Sequence, residues 1–506
     1  MLTGILKALD TQTQQQPNAQ ACADHARHWS FRELSLLAER MALRLKSQGI
    51  ETGDRVAVLT YSHLDALVVM LGAMRIGAIF MPLNWRLSAD ELDYVLQHGA
   101  PSIVIVDSEL YPAYSQVLIS TPHWCDTVQE LSKGLADAKL VLTTTVQPLN
   151  DEALLLYSSG TTGRPKGVLL SGASLMSALQ TTADATAFGS GHIMANALPV
   201  FHIAGVISML VPVITGGLLQ GVNKFDPSDF AKSIAQHKVT HTTLVPSMIQ
   251  MLLAELSPGD PAVSTLQAVT YAGSPINEPL LKKAIDILNC DFVQIYGLTE
   301  ACGVASVLSV ADHKNPELWT SAGMAASEAE LCIMHPQSGL PVAEGEVGEI
   351  WVKSIRNMLA YWGNTQATTQ ALVADGWLRT GDCGHIRAGY LYITDRLKDQ
   401  IVSGGENIYP AEVERVLAQH PAIADCAVIG VPDEKWGETV KACVVLHAGV
   451  HVVAEDLMTF CRSVLAHYKC PKSVDFLDDL PRNASGKVLK RELREPYWQG
   501  MTRAVS

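Results

Sequence analysis

Apolar positions along this chain recur in two alternating periods, one helical and one extended, and the alternation starts within the first sixty residues. Leu34, Leu37, Ala38, Met41 and Leu45 return every three or four places and predict one buried face of a helix. Ser30-Phe-Arg-Glu33 supplies a capping box at its start, and Gly49 stops it before a strand predicted over Arg55 to Leu59. A second box, Ser88-Ala-Asp-Glu91, opens a helix ahead of a strand over Ser102 to Val106. Strands that feed helices that feed strands predict an α/β architecture of mostly parallel sheets with helices on both faces.

From Ile193 to Val222 no residue carries a fixed charge, a run long enough to suggest a membrane span. Pro199, His202, Gly205, Pro212, Gly216, Gly217 and Gly221 punctuate it, so a buried helix between strands is the better expectation. After Arg396 the pattern changes to a Gly-Gly turn, a helix from about Ala411, apolar strands around Ala427 and Ala442, and a helix near Leu457. These signals divide the chain into a large α/β domain over residues 1–396 and a small α+β domain over residues 397–506.

Composition narrows the field. A chain of 506 residues is too long for one ordinary core. Its 37 basic against 51 acidic residues, a net charge of -14, argue against nucleic acid as the main partner. Ten cysteines with no C-x-x-C pair indicate neither a zinc site nor a disulfide scaffold and fit a reducing cytoplasm, and the first residues lack a signal-peptide pattern. Cys302 and Cys383 are expected to act as small buried hydrophobes.

The candidate chemistry begins at Leu154 to Ser171, LLLYSSGTTGRPKGVLLS, where two apolar runs flank a loop of glycines, hydroxyls and one lysine. Gly160, Gly163 and Gly167 let an anion approach the backbone, Ser158, Ser159, Thr161 and Thr162 supply hydroxyl donors, and Lys166 supplies a mobile cation. The spacing is not that of the P-loop, and Val168-Leu-Leu-Ser resumes a strand, so a hairpin-like phosphate grip is expected, with ATP as the first ligand to consider.

Six further strings follow: LPVFHIAG from Leu198, YAGSP from Tyr271, QIYGLTE from Gln294, GWLRTGD from Gly376, DRLKDQIVSGGENIYPAEVE from Asp395 and PRNASGKVLKREL from Pro481. In this order they resemble the adenylate-forming enzymes, a superfamily of acyl-CoA synthetases, aryl-CoA ligases, luciferases and peptide-synthetase adenylation domains. The resemblance spans nearly the whole chain and is nearest to the acyl-CoA synthetases. Tyr271-Ala-Gly-Ser-Pro stands in place of the commoner Gly-Gly-Ala-Pro, Ala325-Ala326 where a basic residue and proline are frequent, and Ser354 and Ala360 replace frequent glycines.

The resemblance implies an ATP-dependent acid:CoA ligase that forms an acyl-AMP and passes the acyl group to CoA. It implies Glu300 as the Mg²⁺ ligand and Thr299 at the α-phosphate, against the ordinary reading of a helix start with Thr as N-cap. Gly273, Ser274 and Tyr296 would enclose the adenine, and Asp382 and Arg396 would hold the ribose, where a solvated turn is the competing account. Lys487 would reach the reacting carboxylate and phosphate, Lys398 would be the hinge between the domains, and Gly404, Gly405 and Glu406 would line the path of CoA. His202 would stand beside the incoming carboxylate, with Val200, Phe201, Ile203 and Val206 lining an acyl pocket. No cation lies in that segment, which favours a hydrophobic monocarboxylic acid, fatty before aromatic. A stand-alone enzyme that loads a carrier protein and a non-catalytic sensor on the same fold are the rival readings; a homodimer is left open.

Overall fold

A computed structural model of the chain describes residues 3–133, 151–158, 165–396, 399–403, 406–433, 435–482 and 488–499. Among the described residues, two large sheets share one core. The first has a parallel centre: Asp291–Tyr296, Ala268–Ala272, His241–Leu244, Ile193–Asn196, Leu218–Gly221 and Gln20–Ala23 lie side by side, with short antiparallel strands at both edges. The second runs Lys166–Ser171, Glu152–Ser158, Ile79–Pro82, Arg55–Leu59, Ile103–Val106 and His123–Cys125. It is parallel except where Lys166–Ser171 pairs antiparallel with Glu152–Ser158 on one side and with the two-residue strand Ala360–Tyr361 on the other.

The strands of the second sheet are buried on both faces, as parallel strands between helical layers must be. Val56, Val58, Phe80, Ile103, Ile105, Leu154 and Leu156 face the shared core, whereas Ala57, Leu59, Ile79, Met81, Val104, Val106 and Leu155 face a separate outer cluster. Two helices, His63–Ile76 and Ile203–Thr215, lie within the shared core; every residue of the first but Asp65 is buried. A helix that is apolar all round belongs in an interior, and this explains the uncharged run from Ile193 to Val222. No helix of the described residues is long and apolar enough to cross a membrane.

Both capping boxes form, Ser30 with Glu33 and Ser88 with Glu91, each satisfying two otherwise orphaned N–H groups. The expectation of mostly parallel sheets misses a four-stranded antiparallel sheet, Ala329–Met334, Gly348–Ser354, Trp377–Arg387 and Tyr390–Arg396. Its last two strands are joined by the two-residue turn Ala388-Gly389, too short for the crossover that parallel pairing needs. The smaller C-terminal α+β domain has the expected elements: the helices Pro410–Leu417 and Ala454–Val464 pack on the hairpin Ile423–Asp433 and Gly437–Leu446.

The entry of the helix Ile203–Thr215 is held by backbone proximity. The Pro199 carbonyl oxygen would stand 2.1 Å from a Cβ placed on Gly205, and Asn196 Nδ2 donates to the Gly205 carbonyl at 2.9 Å. Gly205→Ala should therefore force the helix off this loop and destabilise the fold by about 1–3 kcal/mol. Denaturant unfolding at equilibrium measures this, and an unchanged midpoint would show that the contact is easily relaxed.

Candidate active site

The site forms where strands of both large sheets end. Glu152–Ser158 and Lys166–Ser171 make an antiparallel hairpin with Ser158 opposite Lys166, the expected form of the phosphate grip. The loop residues Ser159, Gly160, Thr161, Thr162 and Gly163 lie outside the described residues, as do Lys398, Gly404, Gly405 and Lys487 and the side chains of Arg396 and Glu406. Lys166 Nζ sits 4.7 Å from the centre of the Tyr361 ring, and no described carboxylate pairs with it.

Tyr361 reaches this position from a two-residue strand, Ala360–Tyr361, laid against Val168 and Leu169. Its phenol donates to Glu300 Oε1 at 2.8 Å. Burial first, and then the Glu300 charge, holds that phenol far above its ordinary pKa, so it stays a donor. One tyrosine thus carries the phosphate-side cation on its face and the candidate metal carboxylate at its rim.

The competing reading, an ordinary helix start at Thr299 and Glu300 with Thr as its cap, is ruled out by the structure. Thr299–Ala301 is a single 3₁₀ turn after the strand Asp291–Tyr296, Thr299 is not the cap, and the chain returns as the strand Ser306–Leu308. Two glycines impose the reversal: a Cβ on Gly297 would meet the Gly303 carbonyl carbon at 2.3 Å, and Gly303 takes a φ of +79°. Glu300 is held at its backbone as well, its carbonyl accepting from Met358 N at 2.7 Å.

On the nucleoside side, Tyr296 OH donates to Asp382 Oδ2 at 2.8 Å. Asp382 lies inside the strand Trp377–Arg387, not in a solvated turn, and stands opposite Arg396 in register. Gly273, with φ +85°, and Ser274 follow the strand Ala268–Ala272, which is parallel to the one that ends in Tyr296. These residues therefore leave neighbouring strands at their carboxyl ends, the usual place for a ligand crevice in such sheets.

His202 precedes the helix Ile203–Thr215 without capping it, and its Nε2 is shut off from solvent with no partner among the described residues. Buried polar atoms are normally satisfied, so this nitrogen is a candidate contact for a ligand. Its ring lies 4.7 Å from that of Phe201, which meets Trp85 at 5.8 Å; Trp85 in turn meets Tyr61 at 4.7 Å. Burial and then the charge of Arg86 push the imidazole down to about 4, so it is neutral near pH 7. Val200, Phe201, Ile203 and Val206 are all buried around it. Ile203 and Ile207 press on Gly303, within 3.1–3.2 Å of where its Cβ would be, so the acyl side and the Glu300 turn touch directly.

Sequence reasoning missed Tyr361, Ile207, Trp85 and Arg86. The segment around His202 indeed holds no cation; Arg86 arrives from the loop after the strand Ile79–Pro82, its guanidinium 4.6 Å over the Trp85 ring. Burial pushes both the Cys302 and Cys383 thiols up to about 12, in line with their expected role as small hydrophobes.

The hairpin that ends in Ser158 and Lys166, the Glu300 carboxylate braced by Tyr361 and the Tyr296–Asp382 pair are arranged as an adenylate-forming enzyme requires. The model of the AMP-binding enzymes matches residues 9–362 and that of their C-terminal domain matches residues 412–487, and the chain belongs to this family. It is 34% identical to a fatty acid:acyl-carrier-protein ligase of Streptomyces coeruleorubidus, over 100% of this chain and 98% of that protein. It is 37% identical to a feruloyl-CoA synthase of Amycolatopsis, over 95% and 96%. Among solved structures it is similar to the o-succinylbenzoate CoA synthetase of Bacillus subtilis in complex with its acyl-adenylate, at 32% identity and a TM-score of 0.84, over 96% of this chain and 97% of that one.

Between pH 6.5 and about 4 the unfolded chain protonates its His202 while the folded chain does not. This group therefore lowers stability as pH falls through that window. His202→Gln should flatten the loss of stability between pH 6.5 and 4 relative to wild type, measured by urea midpoints across that range. Parallel curves would show that the ring titrates normally.

Proposed function

We propose that the chain is an acid:CoA ligase that activates a hydrophobic monocarboxylic acid as acyl-AMP and transfers the acyl group to CoA, releasing AMP and pyrophosphate. The observation that carries this reading is the Lys166–Tyr361–Glu300 group together with the Tyr296–Asp382 bond, side chains of the kinds that would take phosphate, a metal ion and ribose. The acid's own carboxylate attacks the α-phosphorus, and the bond to pyrophosphate breaks as the new P–O bond forms. The protein needs no nucleophile; its work is positioning and charge stabilisation.

Lys166 and the hydroxyls of the hairpin would hold the phosphates, with Thr299 at the α-phosphate. Glu300 fits Mg²⁺: Tyr361 occupies only Oε1, and no cage of three or more ligating side chains occurs among the described residues. Magnesium typically takes one or two carboxylates and completes its shell with phosphate and water. When bound it would supply charge that offsets the phosphate oxygens. Asp382, with Arg396 opposite, would take the ribose hydroxyls, and Gly273, Ser274 and Tyr296 the adenine. The neutral His202 would offer its unpartnered Nε2 to the acid, whose apolar body would lie among Val200, Phe201, Ile203 and Val206.

Residues 397–506 would move about Lys398, first bringing Lys487 to the carboxylate and then Gly404, Gly405 and Glu406 to the CoA thiol. Support for these three assignments is the match of their sequence strings to the family.

The full-length match to a carrier-protein ligase favours a second reading, in which the acceptor is a carrier's pantetheine thiol. Pyrophosphate release from Mg·ATP across fatty, aromatic and dicarboxylic acids, each with and without CoA, separates the two. Turnover that needs a monocarboxylic acid and CoA is the expected result, whereas an acid-dependent burst that only a carrier protein relieves selects the second. No acid-dependent release would refute both.

Lys487→Ala should cut acid-dependent pyrophosphate release by about 10²-fold or more while sparing thioester formation from supplied acyl-adenylate. Rapid-quench assays of the two half-reactions test this, and equal losses in both would remove the assigned role.

A further inference from the structure

Arg356 has no part in the reaction as described, yet it is the largest fully buried side chain in the described protein. It stands just after the strand Gly348–Ser354 and uses every nitrogen. Nε donates to the Val304 carbonyl at 3.0 Å, Nη1 to Ser177 Oγ at 2.9 Å and Thr181 Oγ1 at 3.2 Å, and Nη2 to the Ser327 carbonyl at 2.5 Å. None of these partners is a carboxylate. The nearest balancing charge is one hydroxyl away: Ser177 Oγ, which accepts from Arg356, donates to Glu328 Oε2 at 2.7 Å. Burying a guanidinium is costly unless its donors are all satisfied, and here the fork is satisfied by three separate segments. An apolar residue would fill the space at lower cost but would fix nothing.

The segment that Arg356 anchors runs directly into the site. Ser174 Oγ donates to the Ile355 carbonyl at 3.0 Å, Met358 N to the Glu300 carbonyl at 2.7 Å and Leu359 N to the Leu169 carbonyl at 2.8 Å; Tyr361 then reaches the Glu300 carboxylate. Residues 355–361 form a strap tied at one end to the helix Gly172–Thr186 and at the other to the phosphate hairpin. Through Val304 the same arginine holds the far end of the Glu300 turn, next to Gly303, on which Ile203 and Ile207 rest.

We infer that Arg356 is a positioning residue that locks the Glu300 turn to the strap and so sets both the placing of the metal-binding carboxylate and the floor of the acid pocket. The inference rests on the ligase reading above. A neutral side chain would leave the Val304 and Ser327 carbonyls without their donor and let the turn shift against the strap. Lysine would keep the charge but not the fork, and could not serve Val304 and Ser327 together.

Arg356→Gln should raise the Mg²⁺ concentration for half-maximal pyrophosphate release about tenfold, as expected for loss of an outer-shell support. It should also change the ranking of acids by kcat/KM, with Arg356→Lys between it and wild type. Phe230→Leu, in the separate core under the helix Pro227–His237, is a control that lowers stability away from the site. It should leave both readouts alone. If the Arg356 variants do not fold, Thr181→Val, which removes one acceptor of the fork, should shift the Mg²⁺ requirement in the same direction to a smaller extent. Folded variants that lose stability but keep wild-type Mg²⁺ dependence and acid ranking would overturn the positioning role. A wild-type chain that releases no pyrophosphate with any acid would overturn the ligase reading itself, and the role with it.

Discussion

The site depends on one short distance, the contact between the backbone at Gly297 and the backbone at Gly303. A side chain at Gly297 would hold the two ends of the turn apart, and one at Gly303, besides straining its positive φ, would press on Ile203 and Ile207. With them together, Thr299 and Glu300 sit in a closed turn at the end of the last strand of the parallel run, and Gly303 is left bare for the helix Ile203–Thr215 to pack against. The placing of the carboxylate and the placing of the apolar pocket are therefore one structural event. A shift in either is transmitted to the other through rigid packing, because close-packed interiors have little room to absorb it.

Around this turn the two large sheets contribute different things. The first supplies Gly273, Ser274 and Tyr296 from the ends of Ala268–Ala272 and Asp291–Tyr296, and the second supplies the hairpin that carries Ser158 and Lys166. Two apolar helices buried between the sheets fix their relative position, so groups drawn from strands more than a hundred residues apart in sequence meet without any long loop. The antiparallel sheet brings Asp382 to Tyr296.

How much of this was legible in the sequence depended on the range of the interaction concerned. Helix caps, the strand Arg55–Leu59, the buried helix within the uncharged run and the hairpin of Glu152–Ser158 with Lys166–Ser171 are set by neighbours a few residues away, and these are legible in the sequence. The shape of the Glu300 turn is not legible in local pattern, because Thr-Glu after an extended residue is equally a normal helix opening. What forbids the helix here is the meeting of Gly297 with Gly303, which local pattern does not encode. Tyr361 lies 61 residues from the carboxylate it supports, and Arg356 reaches Ser177 across 179 residues. Neither stands in a periodic pattern that would mark it. Arg86 escaped notice for the same reason, its charge being delivered to His202 from another segment.

The parking place of Lys166 has its own consequence. Its ammonium rests on the face of Tyr361 and not on the carboxylate that the same ring supports, so an arriving polyphosphate has no ion pair to break and displaces only a cation–π contact, worth roughly 0.5–2 kcal/mol. A cation over a phenol also sharpens the phenol as a donor. A ligand that draws the ammonium away weakens the grip of Tyr361 on Glu300 at the moment when that carboxylate is needed elsewhere. By thermodynamic reciprocity, a cation bound at Glu300 eases the departure of Lys166 toward phosphate to the same degree. If Lys166 takes the phosphates and Glu300 their counter-ion as proposed, a single aromatic ring would make the two arrivals cooperative.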